Sequence, residues 1–400
     1  MIKILLLTDF SSGYGRSLLE GVVRYAREAG PWVFYRMPLY YRELHGDEGV
    51  VRWAKEWGAD AIIAQLTDIN LEVLNRLDIP IIVQNYKERY HGLSNLTGDY
   101  YGTGVMAAEF FIRKGYKAFA YYGFRDTVWM RERGEGFHDT ITDHGYPVYV
   151  LDKGEQMSGR QWNFNATLVS QWLLDLPKPI ALFACDDYYA LQITEVCKMY
   201  NIDVPKEVAV LGVDNDNLLC NISDPSLSSI ELDIENGGYE VGKLLHQFIE
   251  KKITSPIDVI IKPVRIVSRS STERFVVSDK YIEQVLTYIS ENYHNPLSVD
   301  ELSQIIPYSR RVLEKKFKSE TGTSVYQYIQ QQRIDQFASL LITTRLPLVE
   351  AAANSGFSDY KNISRIFVKI KGMTPLQYRK RHNYSHRGKR TCGSSLRRSD

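Results

Sequence analysis

The sequence predicts an α/β body over residues 1–270 and an all-helical segment over residues 280–381, with residues 271–279 as a linker. Three observations lead there. The first 270 residues alternate short continuous apolar runs with amphipathic stretches, the pattern of a buried parallel sheet covered by helices. Beyond "IKPVRIVSRSSTERFVVSDK" no strand pattern recurs, and every periodic stretch has the helical period. Charge divides at the same place: residues 279–400 hold 20 Lys and Arg against 11 Asp and Glu, and the remainder holds 29 against 37. A chain of 400 residues exceeds what a single core organises.

In order along the body, "IKILLLT" reads as a first strand and "SLLEGVVRYAREAG" as the helix after it. "ADAIIAQ" and "PIIVQNY" flank the helical "NLEVLNRLD", and "KAFAYYGF", "IALFACD" and "EVAVLGVD" follow as strands. Several strands end in polar residues: Thr8-Asp9, Gln65, Gln84-Asn85, Asp186-Asp187 and Asp214. In open α/β sheets, ligands sit at the carboxyl ends of strands. "IKPVRIV" reads as one final strand that runs into a polar connector.

Cys185, Cys197, Cys220 and Cys392 have neither CxxC spacing nor a His partner at metal-site spacing, so reduced and mostly buried thiols are expected. No metal and no cofactor is expected, because no HExxH, GxSxG or P-loop pattern occurs. The start, "MIKILLLTDFSS", has too short an apolar run for a secretory leader, and no stretch reaches the ~18 apolar residues of a membrane span. A cytoplasmic location is therefore expected.

The helical third contains a repeat. "YSRRVLEKKFKSETGTS" from Tyr308 and "DYKNISRIFVKIKGMTP" from Asp359 correspond at an offset of 50 residues, which aligns Leu313 with Ile363, Phe317 with Phe367 and Gly322 with Gly372. In the second copy Ile363, Ile366, Phe367 and Ile370 fall on one helical face, expected to dock. Each copy is preceded by a short helix, the first opening with a Ser298/Glu301 capping box. A short helix, a tight turn and a second helix with a basic outer face make a helix-turn-helix. The outward positions are Arg310, Arg311, Glu314, Lys315 and Lys318 in the first copy, and Tyr360, Lys361, Ser364 and Arg365, with Val368, in the second. Lys and Arg neutralise phosphates, Arg fits a guanine edge, Tyr and Ser contact bases or phosphates, and Glu accepts from a cytosine amino group. The helix over about 324–343 would set the spacing of the two reading helices. Residues 382–400 form a basic tail without periodicity, expected to be disordered.

With Arg333 opening "RIDQFASLL", then "GFSDYKNISRIF" and "GMTPLQYR", residues 280–381 resemble the DNA-binding domain of the AraC/XylS family; Phe337 departs from that pattern, which usually has a small residue there. "TGDYYGTGVMAAEFFIRKGYKAFAYYGF", "CDDYYA", "VPKEVAVLGVDN" and "PSLSSIELDIENGGYEVGKLL" resemble the LacI/GalR-type core, which is akin to periplasmic sugar-binding proteins. The combination is similar to the xylose-operon regulators. The resemblance implies a two-lobed periplasmic-binding-protein-like domain followed by an all-α domain with two helix-turn-helix motifs. It further implies double-stranded DNA and a small sugar, D-xylose first, as partners, a homodimer, a role as activator, and RNA polymerase as a further partner.

Carried over by position, the sugar-binding candidates are Asp186, Asp214, Arg133, Trp129, Gln65 and Gln84, with Asp9 and Arg16 from the first strand–helix turn. Carboxylates and amides pair with hydroxyls, Arg donates a planar fork, and an aromatic ring covers the apolar face of a sugar. Trp129 serves either as that ring or as core. Of Asp186 and Asp187, one is expected to cap the next helix, with Asp187 chosen. Three other readings stand beside this one, the first being the same DNA-binding regulator with another pentose, a hexose or a purine as its effector. "GYGRSL" partly matches a dinucleotide-binding loop, but Leu18 stands where the third glycine belongs, so an enzyme is disfavoured. A transport-type binding protein has no use for two helix-turn-helix units.

Overall fold

The computed structural model describes residues 1–8, 11–66, 70–151, 165–357 and 359–382. The chain divides into two compact units: Met1–Phe111 with Tyr116–Arg274, and Ile112–Gly115 with the chain from Phe275 onward.

The first unit contains two lobes. In lobe one, β1 (Ile2–Leu7), β2 (Trp32–Arg36), β3 (Ala61–Leu66), β4 (Ile81–Asn85), β5 (Ser94–Gly98) and β11 (Val259–Ile261) form a parallel sheet in the order β11-β5-β4-β3-β1-β2. Helices α1 (Gly13–Ala29), α2 (Leu39–Trp57), α3 (Leu71–Asn75) and α9 (Ile234–Ile249) accompany it. In lobe two, β6 (Phe119–Tyr122), β7 (Val148–Val150), β8 (Ile180–Ala184), β9 (Val208–Val213), β10 (Ser228–Leu232) and β12 (Pro263–Val267) form a sheet in the order β12-β10-β9-β8-β6-β7. There β12 runs antiparallel to β10 and the other pairs are parallel. Its helices are α4 (Tyr100–Arg113), α5 (Val128–Asp143), α6 (Ala166–Asp175), α7 (Asp187–Met199) and α8 (Asn217–Ile222). Every residue of β8 and β9 is buried, which is why these strands read as unbroken apolar runs.

The chain passes between the lobes three times, at Asp99, Asp233 and Lys262. Asp99 N–H donates to the Ile261 carbonyl at 2.8 Å, and Asp233 N–H to the Lys262 carbonyl at 3.0 Å, so the crossings lie side by side. The final strand expected from "IKPVRIV" is in fact two. Val259–Ile261 pairs in lobe one and Pro263–Val267 in lobe two, with the crossing at Lys262 between them. Apolar periodicity cannot reveal that a run changes sheets.

The "GGYEVG" motif has a packing cause. Helices α1 and α9 touch backbone to backbone. A Cβ on Gly21 would stand 1.8 Å from the Glu235 carbonyl oxygen, and one on Gly238 2.0 Å from that of Leu18. Neither backbone oxygen can yield without parting the helices. Gly238→Ala is expected to lower the stability of the first unit by about 2 kcal/mol, read as an earlier first transition in calorimetry with the second transition unmoved.

The second unit comprises α10 (Lys280–Asn292), α11 (Val299–Gln304), α12 (Arg310–Thr321), α13 (Val325–Thr343), α14 (Leu348–Ala353), α15 (Tyr360–Lys371) and α16 (Pro375–His382). The Ser298/Glu301 capping box is formed. The 50-residue repeat holds in three dimensions. Phe317 meets Tyr328 edge-on at 5.4 Å, and Phe367 meets Tyr378 edge-on at 5.1 Å. Gly322 and Gly372 end their helices at φ 75° and 72°, a left-handed turn that glycine adopts without a Cβ clash. Ser324 and Gln327 cap α13 as Thr374 and Gln377 cap α16. Phe337 fills the space beside Phe367, 5.4 Å away ring to ring, which accommodates its departure from the family pattern. One docking residue was misplaced. Ile363 and Phe367 are buried and Ile366 is half-buried, but Ile370, in the last turn of α15, is 41% exposed. Helix α16 reaches His382, and residues 383–400 lie outside the described residues.

Asp279 ties α12 to the start of α10. Its carboxylate accepts from Lys316 Nζ at 2.5 Å, from Tyr308 OH at 2.8 Å and from the Tyr281 N–H at 2.9 Å. Burial pushes its pKa up, but these donors outweigh burial and hold it down at about 2. A depressed carboxylate stabilises above its unfolded value of about 3.9 and loses that contribution as pH falls through the folded value. The stability gap between the wild type and Asp279→Asn should therefore be full at pH 6 and close towards pH 2, measured on the second calorimetric transition.

Candidate effector cleft and nucleic-acid interface

Lobe one presents a row of polar groups where its strands end. Gln65 and Gln84 are register partners on β3 and β4, and both are buried. Gln65 Nε2 donates to Gln84 Oε1 at 2.9 Å, and Gln84 Nε2 to Tyr14 OH at 3.0 Å. Burial, then the neighbouring Tyr100, pushes the Tyr14 phenol well above its ordinary value, so it remains a neutral hydroxyl. Gln65 Oε1 and the buried Thr8 Oγ1 have no hydrogen-bond partner among the described residues. Buried polar atoms of this kind are rare and call for a partner.

Lobe two answers with charge. Arg133 on α5 is 3% exposed, and its Nη1 donates to the Cys185 carbonyl. Its Nη2 lies 3.6 Å from Asp214 Oδ1, an ion pair longer than a hydrogen bond, and its Nε has no hydrogen-bond partner among the described residues. The guanidinium also lies over the Tyr100 ring, 5.5 Å from its centroid. Burial works against the Arg133 charge, but Asp214, Tyr100 and Asp186 prevail and raise its pKa. Asp214 ends β9 with φ 101° and Asn215 follows at φ 52°, a left-handed path that side chains rarely take. The surroundings fix it: Asp214 N–H donates to the Ile230 carbonyl at 2.9 Å, Asn215 N–H to Ser229 Oγ at 2.9 Å, and Arg269 to Asn215 Oδ1 at 2.7 Å.

Asp186 is the N-cap of α7, accepting from the Tyr189 N–H at 2.9 Å. The expectation that Asp187 is the cap is therefore corrected. Asp187 lies one position inside the helix and is buried, where it accepts from Ser229 Oγ at 2.6 Å and from the Asp216 N–H at 2.8 Å. Burial, then Asp214, lifts the Asp186 carboxyl to about 6, and burial also lifts Asp214 against the pull of Arg133.

Trp129 is half-buried and meets Tyr86 of lobe one edge-on at 4.9 Å. Arg16 does not join the row: it is exposed, and its Nη1 donates to the Ser11 carbonyl at 2.6 Å. Asp9 lies outside the described residues. Cys185, Cys197 and Cys220 are buried free thiols, and Cys392 lies outside the description. Sequence reasoning missed Tyr14 and Tyr100. Tyr14 stands inside "GYGRSL", where Arg16 is the residue singled out, and Tyr100 inside "GDYYGTG". Among the described residues there is no cluster of metal-ligating groups, and no helix is long and apolar enough to cross a membrane.

On the second unit, Arg311, Glu314, Lys315 and Lys318 of α12 are exposed, as is Arg365 of α15, and Ser364 is half-exposed. Lys369, one turn beyond Arg365, is also exposed and was not singled out. The side chains of Tyr360 and Lys361 lie outside the description. Arg310 is engaged within the protein: Nη1 lies 3.2 Å from Asp300 Oδ2, and Nε donates to Glu314 Oε1 at 3.3 Å. These exposed pairs are weak and exchangeable. Lys316 instead faces inward to Asp279.

The raised Asp186 carboxyl has a measurable consequence. A carboxyl lifted from 3.8 to about 6 on folding makes ionisation oppose the fold, so its favourable contribution is complete below pH 4 and lost as pH rises through 6. Carboxyl NMR of the full chain should show a resonance titrating near pH 6 that is missing in Asp186→Asn.

Comparison with known proteins places both units. Residues 108–272 match the periplasmic binding protein-like domain family, and residues 302–381 match a helix-turn-helix domain family. The xylose operon regulatory protein of Escherichia coli (strain K12) is 28% identical over 387 residues, covering 94% of this chain and 96% of that protein. That of Haemophilus influenzae (strain ATCC 51907 / DSM 11121 / KW20 / Rd) is also 28% identical, covering 94% and 98%. A solved structure, that of the xylose-binding transcription activator xylR, superposes with a TM-score of 0.57 at 26% identity, covering 94% of this chain and 97% of that one.

Proposed function

We propose that this chain, a sugar-responsive transcription regulator that joins a periplasmic-binding-protein-like domain to an AraC-type helix-turn-helix domain, takes D-xylose as its effector and activates genes for pentose use. One observation carries the reading. The buried Arg133 faces the half-buried Asp214 at a constrained strand end, and Arg133 Nε, Asp214 Oδ1, Gln65 Oε1 and Thr8 Oγ1 have no hydrogen-bond partner among the described residues. A ring of hydroxyls satisfies such a set, accepting from Arg133 and donating to Asp214, Asp186 and the glutamines. Trp129 covers the apolar face of the ring. Similarity to xylose operon regulators over nearly the whole chain supports D-xylose over other sugars.

The helical domain reads double-stranded DNA. Arg311, Lys315 and Lys318 from α12, and Lys361, Ser364, Arg365 and Tyr360 from α15, meet phosphates and base edges in successive major grooves. Arg310 and Glu314 join them once their mutual pairing is exchanged. The regulator works in the cytoplasm as a homodimer, with RNA polymerase as its downstream partner. Sugar shifts a population: it binds the closed lobes better than the open ones, and only that difference moves the equilibrium. Closure then sets both helical domains of the dimer to match adjacent half-sites.

Arg311→Ala and Arg365→Ala should each weaken binding to promoter DNA of the xylose genes about tenfold to a hundredfold, with D-xylose affinity unchanged. Fluorescence anisotropy measures the first and calorimetry the second; full-strength DNA binding by both variants would remove the recognition-helix assignment. Asp214→Ala should abolish the sugar-dependent gain in promoter binding while salt-sensitive, non-specific binding persists. An undiminished response would place the effector elsewhere.

A further inference from the structure

The lobes of the first unit are joined by contacts that use none of the candidate sugar-binding side chains. Arg89 follows β4 in lobe one, and Glu132 lies on α5 in lobe two. The guanidinium and the carboxylate pair through two parallel hydrogen bonds, Nη1 to Oε1 and Nη2 to Oε2, the second at 2.7 Å. The Arg89 fork is held in place from its own side: Nε donates to Thr97 Oγ1 on β5 at 2.9 Å. Its guanidinium also lies 5.6 Å from the centroid of the Tyr100 ring, the first residue of α4 past the Asp99 crossing. Beside this pair, Val128 N–H at the start of α5 donates to the Tyr86 carbonyl of lobe one at 2.8 Å.

A second contact lies further along the cleft. Gly13 N–H, at the start of α1 behind β1, donates to Asp216 Oδ2 at 3.2 Å. Asp216 precedes α8 in lobe two, and its other oxygen caps that helix. A Cβ on Gly13 would stand 2.5 Å from the carboxylate oxygen. In lobe one, β4 and β5 lie to one side of β3 and β1 to the other, so the two contacts are spread along the cleft.

We propose that the Arg89–Glu132 pair is a cross-lobe clasp that sets how far the lobes close before the effector binds, and so sets the effector concentration at which the regulator switches. The pair has what such a role requires. It is bidentate and pre-aimed by Thr97, so little freedom is lost on closing. The side chains are 36% and 23% exposed, so the pair is neither locked in a dry interior nor a fully solvated surface bridge. It bridges parts of the chain that separate when the lobes open about the three crossings. The apparent affinity of an effector for the closed form falls in proportion to the closed fraction. Weakening the clasp therefore raises the switching threshold without touching a sugar contact.

This inference rests on the sugar-sensing reading only for its consequence, and the test separates the two. Hydrogen exchange is measured on the full chain without sugar, for the wild type, Glu132→Gln and the charge swap Arg89→Glu/Glu132→Arg. Glu132→Gln should speed exchange at the start of α5, where Val128 N–H crosses the lobes, and leave the helical unit unchanged; the swap should restore protection. Calorimetry with D-xylose should then show an apparent affinity weaker by about twofold to fivefold in Glu132→Gln, recovered in the swap. Unchanged exchange in Glu132→Gln, or exchange as fast in the swap as in Glu132→Gln, overturns the clasp. If exchange follows the prediction and no variant binds D-xylose, the clasp stands and the choice of effector fails.

Discussion

A buried guanidinium facing a carboxylate on a left-handed strand end is the constraint around which the first unit is arranged. Arg133 is removed from water and so needs compensation, which it takes from the Cys185 carbonyl, from Asp214 and from the Tyr100 ring. Asp214 reaches it by adopting φ 101°, a conformation worth about 1–3 kcal/mol of strain. Ser229, Ile230 and Arg269 hold that conformation through the backbone and through Asn215. Ser229 is also a partner of Asp187, and Asp187 of the Asp216 backbone. The strand ends of lobe two are thereby locked into one network that presents Arg133, Asp186 and Asp214 together.

The second unit depends on a different constraint, the duplication of one packing arrangement. An aromatic ring on each of α12 and α15 meets a tyrosine of the helix that follows, edge-on and at nearly the same distance in both copies. Each reading helix ends on a left-handed glycine, and each following helix starts from a hydroxyl cap with a glutamine three residues on. The inward face is thus fixed twice by the same chemistry, and the outward face varies between copies. Two frames of one geometry with different outward residues suit a protein that reads two different stretches of one DNA site.

Much of this was legible in the sequence because it is written in periodicity and spacing. The buried runs of β8 and β9, the fifty-residue offset and the Ser298 cap are local patterns, and each has one physical reading. What escaped was decided by tertiary context. β5 reads "SNLTG" and has no apolar run, since its burial comes from neighbouring strands rather than from its own side chains. The split of the last strand at Lys262 depends on which sheet each half joins. Asp186 and Asp187 are chemically identical neighbours, and only the backbone turn decides which one caps the helix and which is buried. Tyr14 and Tyr100 escaped because tyrosines are common in this chain and nothing local distinguishes those two.

The central claim is that the cleft lined by Arg133, Asp214, Asp186 and the two glutamines takes a small sugar. Calorimetric titration of the full chain with D-xylose, L-arabinose, D-ribose and D-glucose tests it most directly. The account predicts saturable heat for D-xylose at one site per chain, weaker or absent heat for the other three, and none for D-xylose in Arg133→Ala of intact fold. Absence of heat with all four sugars, or an Arg133→Ala titration indistinguishable from the wild type, would contradict it.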